Sequence, residues 1–124
     1  MKILLPYPPS QNRYLRHTSR GTYRTKEANV YRDTVRKVAM LAGVEALKGS
    51  VEVVLTLHPR MTKKGVSSLV RLDVGNVEKV ACDALNGVCY SDDGKIVRLV
   101  VEIGRAMPGG GLTVEVNAVA VVYI

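Results

Sequence analysis

The chain has 124 residues, enough for one domain over residues 1–124 with a single core and too few for a comfortable second one. No run approaches the roughly 20 continuous apolar residues that cross a bilayer, and the opening MKILLPYPP breaks at Pro6, too early for a secretory apolar segment. The expectation is a soluble, cytoplasmic protein with no membrane partner, carrying a formal net charge of +7.

That charge is unevenly placed. From Met1 to Arg71 there are 14 basic and 4 acidic residues, whereas the remainder has 4 basic and 7 acidic. Such a division fits a basic surface for a polyanion beside an acidic site for a metal, and it also fits an ordinary solvated basic face.

In chain order, Lys2 to Leu5 is a short apolar run halted by PYPPS, which predicts a strand entering a stiff extended segment. Gln11 to Arg24 reads as a long loop in which Arg13, Arg16, His17, Arg20 and Arg24 alternate with Tyr14 and Tyr23, more charge and ring surface than a connection requires. Thr25 can cap a helix to about Lys48, with Tyr31, Val35, Val38, Ala42 and Ala46 forming one apolar stripe and Gly49 ending it. Val51, Val53, Leu55 and Leu57 alternate with Glu52, Val54, Thr56 and His58, predicting a strand closed by Pro59. A second basic loop follows, with Arg60, Lys63, Lys64 and Arg71.

Asp73 to Asn86 predicts a short helix whose apolar face is Val74, Val77, Val80, Ala81 and Ala84, ended by Asn86-Gly87. Ile96 to Met107 and Leu112 to Ile124 are valine-rich and separated by PGGG, so they read as two antiparallel strands joined by a hairpin connection. The predicted class is α+β: one small domain of βαβαββ order, a mixed or antiparallel sheet with two helices packed on it. Cys82 and Cys89 have no histidine partners nearby and read as packing thiols, not as zinc ligands or a disulfide.

The acids concentrate in RLDVGNVEKVACDALNGVCYSDD, residues Arg71 to Asp93. Asn76, Lys79 and Asp83 fall on one helical face with Asp73 at its edge. One reading is an exposed helix in which Asp73 caps the start and Lys79 pairs with Asp83 four residues on. The other brings Asp92-Asp93 back to the helix start, where paired carboxylates would hold Mg²⁺. Asp-Asp-Gly is also a common turn sequence, and periodicity does not choose between the two.

Four blocks in order carry a resemblance that spans most of the chain: LPYPPSQNRYLRH, YRDTVRKVA, LDVGNVEKVACDAL and SDDGKIV. Together they resemble the RusA family of Holliday junction resolvases. The resemblance implies a dimeric, Mg²⁺-dependent endonuclease, with Mn²⁺ a possible substitute, encoded by a phage or prophage and acting in DNA recombination and repair. It implies catalytic roles for Asp73, Asn76, Lys79 and Asp93, and metal binding by Asp73 and Asp93. Each subunit would cut one of two phosphodiesters placed symmetrically across a four-way DNA junction. One position departs from the family pattern: Gly75 stands where a second acid is usual, so Asp92, Asp83 or a water would have to supply the missing oxygen.

The candidate DNA-binding residues are Asn12, Arg13, Tyr14, Arg16, His17, Arg20, Arg24, Lys63, Lys64 and Arg71. Tyr14 and Tyr23 offer rings for bases at an opened junction, or core packing. His17 is a candidate phosphate contact or proton carrier, against an ordinary loop histidine, and His58 beside Pro59 has the weaker claim. Val114, Val116, Ala118, Ala120 and Val122 supply apolar material for a two-fold interface or for the core. The competing reading is a junction-binding dimer that has lost cleavage through Gly75. A structural domain with incidental charge ranks last.

Overall fold

The computed structural model describes residues 1–61 and 74–120, with the backbone alone for 74–76. Lys63, Lys64, Arg71, Asp73 and Val122 lie outside the described residues. The elements in order are β1 (Lys2–Leu5), α1 (Gln11–Tyr14), β2 (Leu15–Thr18), β3 (Gly21–Arg24), α2 (Lys26–Leu41), β4 (Val51–His58), α3 (Val74–Leu85), a 3₁₀ turn (Asp93–Lys95), β5 (Ile96–Ile103) and β6 (Gly111–Ala118). A four-stranded mixed sheet of order β1-β6-β4-β5 carries the core, and β2-β3 form a separate two-stranded ribbon. The class is α+β, as the patterning predicts.

β6 and β4 take the two inner positions, as strands apolar on the inward side can; in β4, Val51, Val53, Leu55 and Leu57 are each at most 1 % exposed. β4 pairs parallel with β5 on one side and antiparallel with β6 on the other. The sheet therefore has one face under the helices. Tyr31 and Val35 from α2, Ala84 and Leu85 from α3, and Leu112, Val114 and Val116 from β6 meet over β4. The opposite face is largely polar: Glu52 pairs with Arg98 at 3.0 Å, Thr56 donates to Glu102, and His58 spans the Arg105 carbonyl and the Thr113 hydroxyl.

Three expectations need correction. The final two strands are not hairpin partners, because β4 lies between them. The segment 104–110 instead passes the end of β4, with Gly104 donating to the Leu57 carbonyl and Met107 to that of Pro59. Gly110 makes this passage possible: its φ is +72°, and a Cβ there would lie 2.6 Å from the Tyr7 ring and 3.1 Å from the His58 carbonyl oxygen. Val114 and Val116 are thereby core residues, while Ala118 and Ala120 are exposed.

The second correction concerns α2, which ends at Leu41, well before Lys48. Gly43 adopts φ +71°, its N–H donates to the Met40 carbonyl, and the Val44 N–H reaches the Ala39 carbonyl. This is a Schellman closure, and it acts six residues before Gly49 could. Ala42 is left as the exposed cap and Ala46 lies beyond the helix, so the buried stripe is Ala28, Tyr31, Val35 and Ala39, with Val38 half-buried.

The third is the stretch Gln11 to Arg24, which is ordered structure and not a loop. Ser10 caps the single turn of α1, after which β2 and β3 pair through Leu15–Arg24, Arg16–Tyr23, His17–Thr22 and Thr18–Gly21. Its turn residues, Ser19-Arg20, lack the Asn-Gly signature of tight hairpins. The work is done by neighbours: Gly21 at φ +132°, and the Thr18 hydroxyl, which accepts from the Arg20 N–H and donates to the Gly21 carbonyl.

Candidate functional site

α3 is the element on which the site is built. Val80, Ala81, Ala84 and Leu85 are buried against the rest of the fold, so the opposite side, which carries Glu78 and Lys79, is turned outward and exposed. After Leu85 the chain reverses at Gly87, φ +77°, with the Gly87 N–H donating to the Tyr90 carbonyl. The fully buried Tyr90 then ties this return to the helix, its hydroxyl donating 2.8 Å to the Cys82 carbonyl. Three residues later Asp93 opens the 3₁₀ turn. The turn therefore delivers Asp93 to the flank of α3.

Two clefts meet at Lys79. One, of about 480 Å³, lies between α3 and β5 and is lined by Lys79, Asp93, Glu78, Cys82 and the start of β5. The structure thus brings together Lys79 and Asp93, which are 14 positions apart in the sequence. Asp92 lies beside them with one carboxylate oxygen accepting the Gly94 N–H at 3.3 Å, so it caps the turn as the Asp-Asp-Gly pattern allows. The other cleft, of about 590 Å³, lies between the β2-β3 ribbon and the helices, with Tyr14, Tyr23, Asn29, Lys79 and Asp83 among its lining.

The Asp93 carboxyl is raised above its ordinary pKa, first by partial burial and then by the negative charges of Asp83 and Asp92, with Tyr90 hydrogen bonding opposing the rise. Burial, helped by the charge of Asp93, pushes the Cys82 thiol up to about 11, so it stays protonated near neutral pH and presents no thiolate. Cys89 is also pushed up to about 11 by burial, and both cysteines are free packing thiols. Among the described residues no three His, Cys, Asp or Glu side chains are grouped to hold a metal, and Asp73 lies outside them. The donors at hand, carboxylate oxygens without thiolate, suit a hard divalent cation.

Asp83 has a different role from either one expected of it. Its carboxylate receives Arg24 through two nitrogens, Nη2 at 2.7 Å and Nε at 3.0 Å, together with the Tyr14 hydroxyl. Arg32 of α2 adds a third contact at 3.7 Å through a buried Nε that has no closer partner. Burial alone would push the Asp83 carboxyl up, but the Arg24 and Tyr14 hydrogen bonds and the two guanidinium charges outweigh it and hold the pKa below the usual range. Asp83 therefore joins α1, β3, α2 and α3 at one point, and the expected Lys79–Asp83 pair gives way to this cluster. Arg32, Gln11 and Asn29 were not singled out from the sequence, because nothing in their local spacing marks them.

The basic ribbon stands next to this cluster. Arg16, His17, Arg20, Tyr23 and Arg24 are all exposed on it, as are Asn12 and Arg13 on α1. His17 Nδ1 lies 2.9 Å from the Thr22 hydroxyl across the ribbon. Tyr14, by contrast, is 2 % exposed and packs with Ala28 and Val80, leaving Tyr23 as the ribbon's solvent-facing ring. Arg60 lies 4.2 Å over the Tyr7 ring, and His58 is held in the polar face of the sheet. No helix among the described residues is long and apolar enough to cross a membrane.

The family model for endodeoxyribonuclease RusA matches residues 6–117. The chain is 31 % identical over 117 residues to a crossover junction endodeoxyribonuclease RusA of Escherichia coli (strain K12), covering 93 % of this chain and 92 % of the relative. It is 29 % identical over the same length to the protein of that name from Enterobacteria phage 82, with the same coverage.

Proposed function

The chain belongs to the RusA family of endodeoxyribonucleases, and from that membership we propose that it resolves Holliday junctions as a homodimer by paired, symmetric, Mg²⁺-dependent cuts. The observation that carries the reading is the meeting of Lys79 and Asp93 in one cleft, next to an exposed basic ribbon. Asp73 and Asp93 are the residues that would hold magnesium, with Asp92 adjacent. Bound there, the ion would supply an activated water and neutralise charge on the leaving oxygen, with Mn²⁺ able to replace it.

The protein's own groups do the rest. Lys79, exposed where the two clefts meet, stabilises the extra negative charge of the phosphodiester transition state. Asn76, one turn before it on α3, orients the same phosphate. Asn12, Arg13, Arg16, His17 and Arg20, with Lys63, Lys64 and Arg71, follow the backbones of the junction arms. Arg24 contributes mainly by holding the ribbon to Asp83. A two-fold substrate calls for a two-fold protein, so each subunit supplies one such site. The relative from a phage fits a phage or prophage origin and a cytoplasmic site of action in recombination and repair.

Gly75 favours a second reading, in which the dimer binds branched DNA and cuts it poorly. Both readings make the same prediction for binding, which separates them from a domain of incidental charge. A four-way junction should bind at least about tenfold more tightly than linear duplex. Its log Kd should rise linearly with log salt, with a slope of about 0.9 for each phosphate contact. Equal affinity for junction and duplex in a fluorescence-anisotropy titration would remove the junction assignment.

A further inference from the structure

Away from Lys79, the larger cleft has a lining unsuited to a phosphate. Its one guanidinium, that of Arg24, donates two hydrogen bonds to the Asp83 carboxylate, which leaves Lys79, where the two clefts meet, as the other cation of the lining. Its floor is formed by Tyr14 and Val80, which are 2 % and 1 % exposed. Tyr23 stands at its edge as a 51 % exposed ring. Gln11 and Asn29 add two side-chain amides, and among the described residues neither amide is hydrogen-bonded within the protein.

Rings, a flat apolar floor and uncommitted amides are what a neutral, planar, hydrogen-bonding group requires. A nucleobase is such a group: aromatic side chains receive its face, and Asn and Gln match its edge with a donor and an acceptor. The volume of about 590 Å³ lies within the range of sites that enclose small planar ligands. Lys79 belongs to both this cleft and the Asp93 cleft. A nucleotide whose base entered the first would leave its phosphate near the second.

We infer that this cleft seats one nucleobase, unstacked from the DNA at the crossover, next to the phosphate that is cut. The inference rests on the junction-cleavage reading above. At a crossover the stacking is already interrupted, which lowers the cost of drawing a base out of the duplex. Tyr23 would stack on it and Gln11 and Asn29 would read its edge, so the ribbon would contribute to the choice of cut site as well as to affinity.

The test is a scan of single abasic substitutions through the crossover strands of a synthetic four-way junction, with binding measured for the parent and for a Tyr23→Ala/Asn29→Ala variant. Both residues are exposed, and circular dichroism would verify the variant's fold. The parent should lose on the order of tenfold in affinity at one position in each of two symmetry-related strands. The variant should bind the intact junction about tenfold more weakly and be indifferent to the abasic site. Equal binding at every abasic position, or an undiminished abasic penalty in the variant, would overturn the inference while leaving junction recognition intact. Failure to bind any junction would overturn both.

Discussion

Replacing Asp83 by alanine is expected to lower the stability of the protein by about 2 kcal/mol, because two guanidinium groups and a buried tyrosine hydroxyl lose their shared acceptor at once. The Arg32 Nε is the most exposed to this loss in energetic terms, since it is buried with no other partner. Arg24 is 43 % exposed, so its share is discounted for solvent, and a double-mutant cycle of Asp83→Ala with Arg24→Ala should return a coupling of about 1 kcal/mol. Chemical denaturation of the four proteins measures both quantities. A destabilisation within about 0.5 kcal/mol would mean that the cluster does not hold the ribbon.

The same cluster predicts an acid dependence with a definite sign. The Asp83 pKa is lowered by folding, so the folded state favours the carboxylate more than the unfolded chain does. Its contribution is therefore complete above the ordinary aspartate value of about 3.9 and is lost as pH falls below it through the folded value. The stability difference between the parent and Asp83→Ala should narrow on acidification below pH of about 4. Because Arg16, His17 and Arg20, proposed to follow the junction arms, stand on the ribbon, Asp83→Ala should also weaken junction binding at neutral pH.

Asp93→Asn should cut a four-way junction at least about a hundredfold more slowly than the parent, and Lys79→Ala should show a loss of similar size. Asp93→Asn removes a carboxylate that would hold magnesium, while Lys79→Ala removes the cation that would face the transition-state phosphate. Both side chains are exposed, so neither change opens a cavity. Their effects on binding should differ: Asp93→Asn removes a negative charge near a phosphate and should bind the junction as tightly as the parent or more so, whereas Lys79→Ala should bind somewhat more weakly. Single-turnover cleavage and anisotropy, run side by side, separate the two. Parent-like cleavage by Asp93→Asn would exclude this aspartate from the reaction.

Much of this was legible in the sequence wherever one residue's environment is decided by its near neighbours. Alternation from Val51 to His58 set β4 and its inward face, and Thr25 marked the start of α2. The class and the family followed from elements and motifs that are local in the chain. What escaped depended on contacts across it. The placement of β4 between β5 and β6 depends on which strand is apolar enough for the centre, and PGGG fits either a hairpin or a passage around a strand end. The ribbon was hidden because Gly21 and the Thr18 hydroxyl stabilise a turn whose own two residues are ordinary.

The site divides in the same way. Lys79 and Asp93 carried motif signals and the fold brings them to one cleft, with Tyr90 as the buried tie that makes this so. Asp83 looked like a partner for Lys79 because helical spacing favours i, i+4 pairs. Its real partners come from three other elements, 59 and 69 positions away for Arg24 and Tyr14, and no spacing rule reaches that far.

Junction cleavage is tested most directly by incubation of the parent protein with a four-way junction labelled on each strand in turn, with Mg²⁺ and beside linear duplex of the same sequence. Junction resolution by this protein would give paired nicks at symmetric positions in two opposed strands and no cutting of the duplex, which would establish a site that works with glycine at position 75. Junction binding without nicks in the parent, with nicks appearing only in Gly75→Asp, would contradict it and leave a protein that holds junctions without resolving them.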